Sequence, residues 1–234
     1  RVGLRGILVS PEFLFLRATP APLGPDSAAT SSVPLDDYAL ASRLSYFLWS
    51  SMPDEELLGL AESRKIREPG VMRQQVERML QDPRAKAFTE NFTGQWLSLR
   101  AIDATEPDRT LYPEYDDVLK TASLKEPKLF FEEVLKHDLS LTNFVSSDFT
   151  FLNARLAKHY GIPGIEGAEM RKVPLTPASH RGGVMTMSSV LKVTANGTTT
   201  SPVLRGAWLL DRILGTPPSK PPPRGTCRNP SRTS

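Results

Sequence analysis

Between residues 35 and 100 the chain repeatedly places apolar side chains three and four positions apart. In DDYALASRLSYFLWSS, Leu40, Leu44, Phe47 and Leu48 keep that spacing, which sets them on one face of a helix. SMPDEELLGLAES predicts a second helix. Ser51 is its expected N-cap, Pro53 falls early in its first turn, and Asp54, Glu55 and Glu56 lie against its positive end. PGVMRQQVERMLQ carries the stripe Val71, Val76, Met79 and Leu80. DPRAKAFTENFTGQWLSL opens on Asp82 as N-cap with Pro83 at the first helical position, and Phe88, Phe92, Trp96 and Leu99 line one side.

The second half continues the pattern after an irregular stretch over 100–113. EYDDVLKTASLKEPKLFFEEVLKH reads as one long helix in which Pro127 predicts a kink or break, because proline lacks the N–H and its ring crowds the preceding turn. NFVSSDFTFLNARLAKHYGIPG gives a turn, a short extended piece and a short helix capped by Asn153. RGGVMTMSSVLKV predicts a helix reached through a tight Gly182-Gly183 turn. A last helix starts at Ser201-Pro202 and ends at Gly215. No internal repeat and no strand ladder is legible. The predicted fold is therefore all-α, an irregular bundle of about eight or nine helices.

Composition narrows the function classes. The chain has 234 residues, 39% hydrophobic, enough for one sizeable core. Beyond Gly215 stand Lys220, Arg224, Arg228 and Arg232 with no acid. Removing those four from the formal +3 leaves about −1 for residues 1–215, a poor match to a nucleic-acid surface, which needs clustered cations. One cysteine, Cys227, excludes an intrachain disulfide and a Cys-rich zinc site. No apolar run reaches the length of a membrane span. The chain starts Arg-Val-Gly-Leu-Arg and reads as a piece of something longer.

Two sets of residues offer chemistry. Glu133 and His137 are one helical turn apart, a spacing that can put a carboxylate and an imidazole on one divalent metal, with His159 or His180 as further ligands. The plainer reading is a surface pair. Ser189 and Lys192 fit Ser-x-x-Lys, in which a lysine of lowered pKa takes the serine proton. The Ser-Asp-Asn and Lys-Thr-Gly partners of that class are absent. Catalytic candidates are thus Ser189, Lys192, His159 and His180; metal candidates are Glu133, His137 and His159. The aromatics Trp49, Phe88, Phe92, Trp96 and Trp208 fall on apolar helical faces and read as core. Cys227 lacks the second thiol and the histidine of C-x-x-C-H, so a c-type haem is not expected on this chain.

Several segments together resemble one family. They are 39-ALASRLSYFLWSSMPDEELLGLA-61, 78-RMLQDPRAKAFTENFTGQWLSLR-100, 149-FTFLNARLAKHYGIPG-164 and 181-RGGVMTMSSVLKVTANGTTTSPVLRGAWLLDRILGTPP-218. These are similar to the planctomycete-type cytochrome c-associated multidomain proteins, whose helical modules have no assigned activity. The resemblance implies a parent chain exported to the periplasm or beyond, with a cytochrome or other domains of that chain as partners. It implies a tail of a preceding module plus linker at 1–33, a central helical domain at 34–165 and a C-terminal helical segment at 166–215 packed on it. Residues 216–234 are expected to be a Pro-rich, basic, disordered tail. In the family the prolines lead toward a haem segment. Here the resemblance is read as stopping near Pro223, and RGTCRNPSRTS has the composition of an out-of-frame or vector-derived tail.

Three functions follow as expectations. The first is a helical scaffold or interaction module. The second is a hydrolase of ester or phosphoester bonds working through a metal at Glu133, His137 and His159 or through Ser189 and Lys192. The third is a polysaccharide-binding module, which requires Trp49, Trp96 or Trp208 to stand exposed in a groove.

Overall fold

The structure, a computed structural model, describes residues 2–11 and 35–219. Most of the stretch at 1–33 expected to hold a module tail and linker, and the tail beyond residue 219, Cys227 included, lie outside them. The chain divides into two units, Arg1–Phe92 and Thr93–Ser234. The division falls inside the expected 34–165 domain, and the expected 166–215 segment shares its unit with residues 93–165.

In the first unit, α1 (Val2–Leu8), α2 (Asp37–Trp49), α3 (Glu55–Glu62) and α4 (Val71–Gln81) precede α5 (Lys86–Trp96), through which the division runs. Ala41, Leu48, Trp49, Leu57, Ala61, Ile66 and Met79 form the core. The buried face of α2 is turned from the predicted stripe. Ala41, Ser45, Leu48 and Trp49 are buried, whereas Phe47 is 57% exposed and meets the edge of Phe88. The indole of Trp49 reaches this core because its Nε1 donates to the Met79 carbonyl at 2.9 Å and Arg84 covers its ring. Asp54, not Ser51, caps α3: its Oδ1 accepts from Leu57 N at 3.0 Å, and the same carboxylate takes Arg78 at 2.8 Å. A carboxylate that serves the helix end and a guanidinium together outweighs a serine hydroxyl.

In the second unit, α6 (Asp117–Lys136) is the longest element and runs unbroken past Pro127. The expected break does not occur. Both sides of the proline are held by burial, with Ser123, Glu126, Pro127, Phe130 and Phe131 all turned inward. Then come β1 (Phe149–Leu152), α7 (Ala154–Tyr160), β2 (Arg171–Pro174), α8 (Ser188–Val193) and α9 (Pro202–Arg212). The strands pair antiparallel with Phe149 opposite Pro174 and Leu152 opposite Arg171. Among the described residues the fold is thus mostly helical, with nine α-helices and this small sheet, and not strictly all-α. Four-residue strands separated by a helix carry too few positions for a legible alternation.

The caps predicted at Asp82, Asn153 and Ser201 all form. Asn153 is the most consequential. Its Oδ1 accepts from Leu156 N at 2.9 Å and its Nδ2 donates to the Ala168 carbonyl at 3.1 Å, tying α7 to the loop before β2. Asn153→Ala is expected to lower stability by about 1–2 kcal/mol in urea denaturation.

One core joins the two halves of this unit. Leu97, Leu99, Phe130, Val134 and Phe149 pack with Val184, Met187 and Val190, and Trp96, Trp208 and Ile213 close over them. A second cluster holds Leu119, Ala122, Leu152, Leu156, Ala157 and Val173. Gly182 and Gly183 form the tight turn that the sequence predicted. Gly183 has φ +71, and a Cβ there would stand 2.6 Å from the Val145 carbonyl carbon and oxygen. Only glycine allows that approach.

Candidate functional site

The inner face of α6 brings Leu119, Ser123, Glu126, Phe130 and Val134 to the buried side at three- and four-residue intervals. Glu126 is therefore a carboxyl group inside the molecule, 1% exposed. Two hydroxyls meet it. Thr150 Oγ1 donates to Oε1 at 2.7 Å and Tyr160 Oη donates to Oε2 at 2.5 Å. Tyr160 in turn accepts from Ser188 N at 2.7 Å, and Ser188 Oγ shares a 2.7 Å hydrogen bond with Ser123 Oγ. The Arg181 guanidinium lies 3.5 Å from the centre of the Tyr160 ring and donates to the Thr186 carbonyl. Burial pushes the Glu126 carboxyl up to about 7, against the opposing pull of Tyr160, Thr150 and Arg181. The same burial, with the carboxylate beside it, holds the Tyr160 hydroxyl protonated well above its ordinary value.

The next residue back on α7, His159, faces a cavity of about 240 Å³ on the surface of this unit. Its roof is the 195–200 hairpin, closed by a bridge between Ala195 and Thr200. Asn196 Oδ1 caps the hairpin by accepting from Thr198 N and Thr199 N. The hairpin is pinned to the irregular 106–112 segment. Asp108 N donates to the Gly197 carbonyl at 2.9 Å and Tyr112 Oη to the Thr198 carbonyl at 2.9 Å. Gly197 has φ +93, and a Cβ there would stand 2.3 Å from the Glu106 carbonyl oxygen. Gly197 is thus the contact that seats the roof on the 106–112 segment. Burial, then Arg181, holds the His159 imidazole below its ordinary value, so it is neutral at pH 7.

The predicted sites are placed as follows. Ser189 is fully buried and its hydroxyl finds no hydrogen-bond partner. Lys192 Nζ donates to the carbonyls of Ile102 at 2.5 Å and Thr105 at 2.7 Å. Burial lowers the lysine pKa, the shift that dyad chemistry wants, but the ammonium is held by backbone and not by Ser189. The two side chains share a helix without forming a pair. His137 Nε2 lies 3.6 Å from Glu133, whose other oxygen takes Lys172 at 2.7 Å. The pair stays at that. Among the described residues no group of three His, Cys, Asp or Glu side chains is close enough to hold a metal ion. His180 is exposed on a turn at φ +50. Trp49 is buried, and Trp96 and Trp208 pack against the shared core, so no tryptophan offers the expected open groove. No helix among the described residues is long and apolar enough to cross a membrane.

A family model described as PSD4, protein of unknown function (DUF1592), matches residues 35–162. The chain belongs to this family. A second model, PSCyt3, protein of unknown function (DUF1588), matches residues 181–233. Both are domain families of unknown function of the planctomycete, cytochrome c-associated type that the sequence segments resemble. The DUF1588 match runs to residue 233 and takes in Cys227, which corrects the reading that family likeness stops near Pro223. No curated protein and no solved structure matches the chain. The carboxyl network crosses both matches: Glu126, Thr150 and Tyr160 lie in the DUF1592 stretch, Arg181 and Ser188 in the DUF1588 stretch. Sequence reading passed over Glu126 although its helical stripe, Leu119 to Val134, marks it as inward. It passed over Tyr115 and Arg205, which line the cavity from segments far apart in sequence and are brought together there only by the fold.

Proposed function

We propose that the chain is a helical scaffold or interaction module of an exported, cytochrome c-associated protein, presenting other domains of its parent chain to one another. The shared core supports this reading. Phe130 and Phe149 from the DUF1592 stretch pack with Val184, Met187 and Val190 from the DUF1588 stretch. A joint of that kind transmits position between modules. The burial of Ser189 and the pairing of Glu133 with Lys172 favour this reading over a hydrolase.

The test has two measurements on the purified chain. Calorimetric titration with a c-type cytochrome domain from a protein of the same family should give saturable binding. A panel of ester and phosphoester substrates should show no hydrolysis above the uncatalysed rate. Hydrolysis that disappears in Ser189→Ala or on adding a chelator overturns the reading in favour of a hydrolase.

A further inference from the structure

We propose that the cavity under the 195–200 hairpin binds a small uncharged aromatic molecule of the alkylbenzene class. Size sets the first bound. At about 240 Å³ it exceeds the cavity of roughly 150 Å³ that accepts benzene and falls below the range for larger ligands. One ring and a short alkyl substituent fit. The walls set the second. Pro107, Leu191 and Ala195 are apolar, and Tyr112 and Tyr115 contribute aromatic rings, surfaces that favour a flat apolar ring.

The polar groups of these walls decide against a charged or hydrogen-bonding guest. Tyr112 Oη donates to the Thr198 carbonyl, and Lys192 Nζ donates to the carbonyls of Ile102 and Thr105. Arg205 places Nε on Thr194 Oγ1 at 3.3 Å and Nη2 on Thr200 Oγ1 at 2.8 Å. The Gly197 carbonyl accepts from Asp108 N. The Tyr115 hydroxyl is sealed from solvent beside Asp103 and Asp117, so its ring and not its oxygen meets the cavity. His159 is neutral at pH 7. A water held in such a space needs several polar partners, and the partners here are spent on the protein itself. An apolar guest forgoes no hydrogen bond there and takes its own surface out of water. Glu114, Thr199 and Thr200 are exposed at the rim, so a guest can enter without opening the core. The site requires neither the scaffold reading nor a catalytic group.

The experiment titrates toluene into the full chain by calorimetry, with phenol as the match of similar size that carries a hydroxyl. Toluene should bind saturably below its solubility limit. Phenol should bind at least tenfold more weakly, because its hydroxyl gives up water for walls without a free partner. Leu191→Phe and Ala195→Phe each fill part of the cavity and should weaken toluene at least tenfold while far-ultraviolet circular dichroism stays unchanged. Should one of them fail to fold, the other carries the same expectation. No saturable heat up to the solubility limit of toluene overturns the proposal. So does phenol binding as tightly as toluene, or undiminished binding by a folded variant with the cavity filled.

Discussion

Phe130→Ala is expected to cost about 3–5 kcal/mol, enough to unfold a large share of the population at moderate temperature. The ring is fully buried, stacked on Phe149 at 4.9 Å between centroids and set edge-on to Phe144 at 5.9 Å. Removing it loses the transfer free energy of the ring and leaves a void among Leu97, Val134, Val184 and Val190. Urea denaturation reads the change as a lower midpoint with little change in slope. Val203→Ala is the internal control. Val203 is 81% exposed, so its loss should stay within about 0.5 kcal/mol. Equal costs at the two positions would mean that the shared core does not carry the unit.

Glu126 governs the second large effect, which depends on pH. An unfolded glutamate loses its proton near 4.5, whereas this one keeps it to about 7. Between those values the folded chain holds a proton that the unfolded chain has given up. The contribution of Glu126 is therefore most favourable below 4.5, declines as pH rises toward 7 and levels off above it. The full span is roughly 3 kcal/mol. Glu126→Gln should remove that slope, so wild type minus variant falls with rising pH across this window. Glu126→Ala differs, since it strands the hydroxyls of Thr150 and Tyr160 and should cost about 2–4 kcal/mol at pH 5. Parallel pH profiles for wild type and Glu126→Gln would show that the carboxyl titrates as if exposed.

What the sequence revealed was what is decided within one turn of chain. Asp82, Asn153 and Ser201 cap their helices as expected because each needs only a side-chain oxygen and a backbone N–H two or three residues on. The Ser51 assignment failed where two oxygens compete and the winner, Asp54, is chosen by Arg78 from another helix. The β1–β2 pairing, the sealing of Ser189 and the diversion of Lys192 to Ile102 and Thr105 are long-range events that no local spacing encodes. Glu126 lies between these cases. Its helical stripe was legible, but its partners Thr150 and Tyr160 are 24 and 34 residues away.

The core shared by the two family stretches also bears on how such proteins can be rearranged over time. Residues 163–180 lie between the matches and contain β2. A crossover there would pair one half of a packed interior with a stranger, leaving Phe130 and Phe149 against side chains not shaped for them. In this chain, exchanging one stretch without the other would therefore break the packing that holds the unit together.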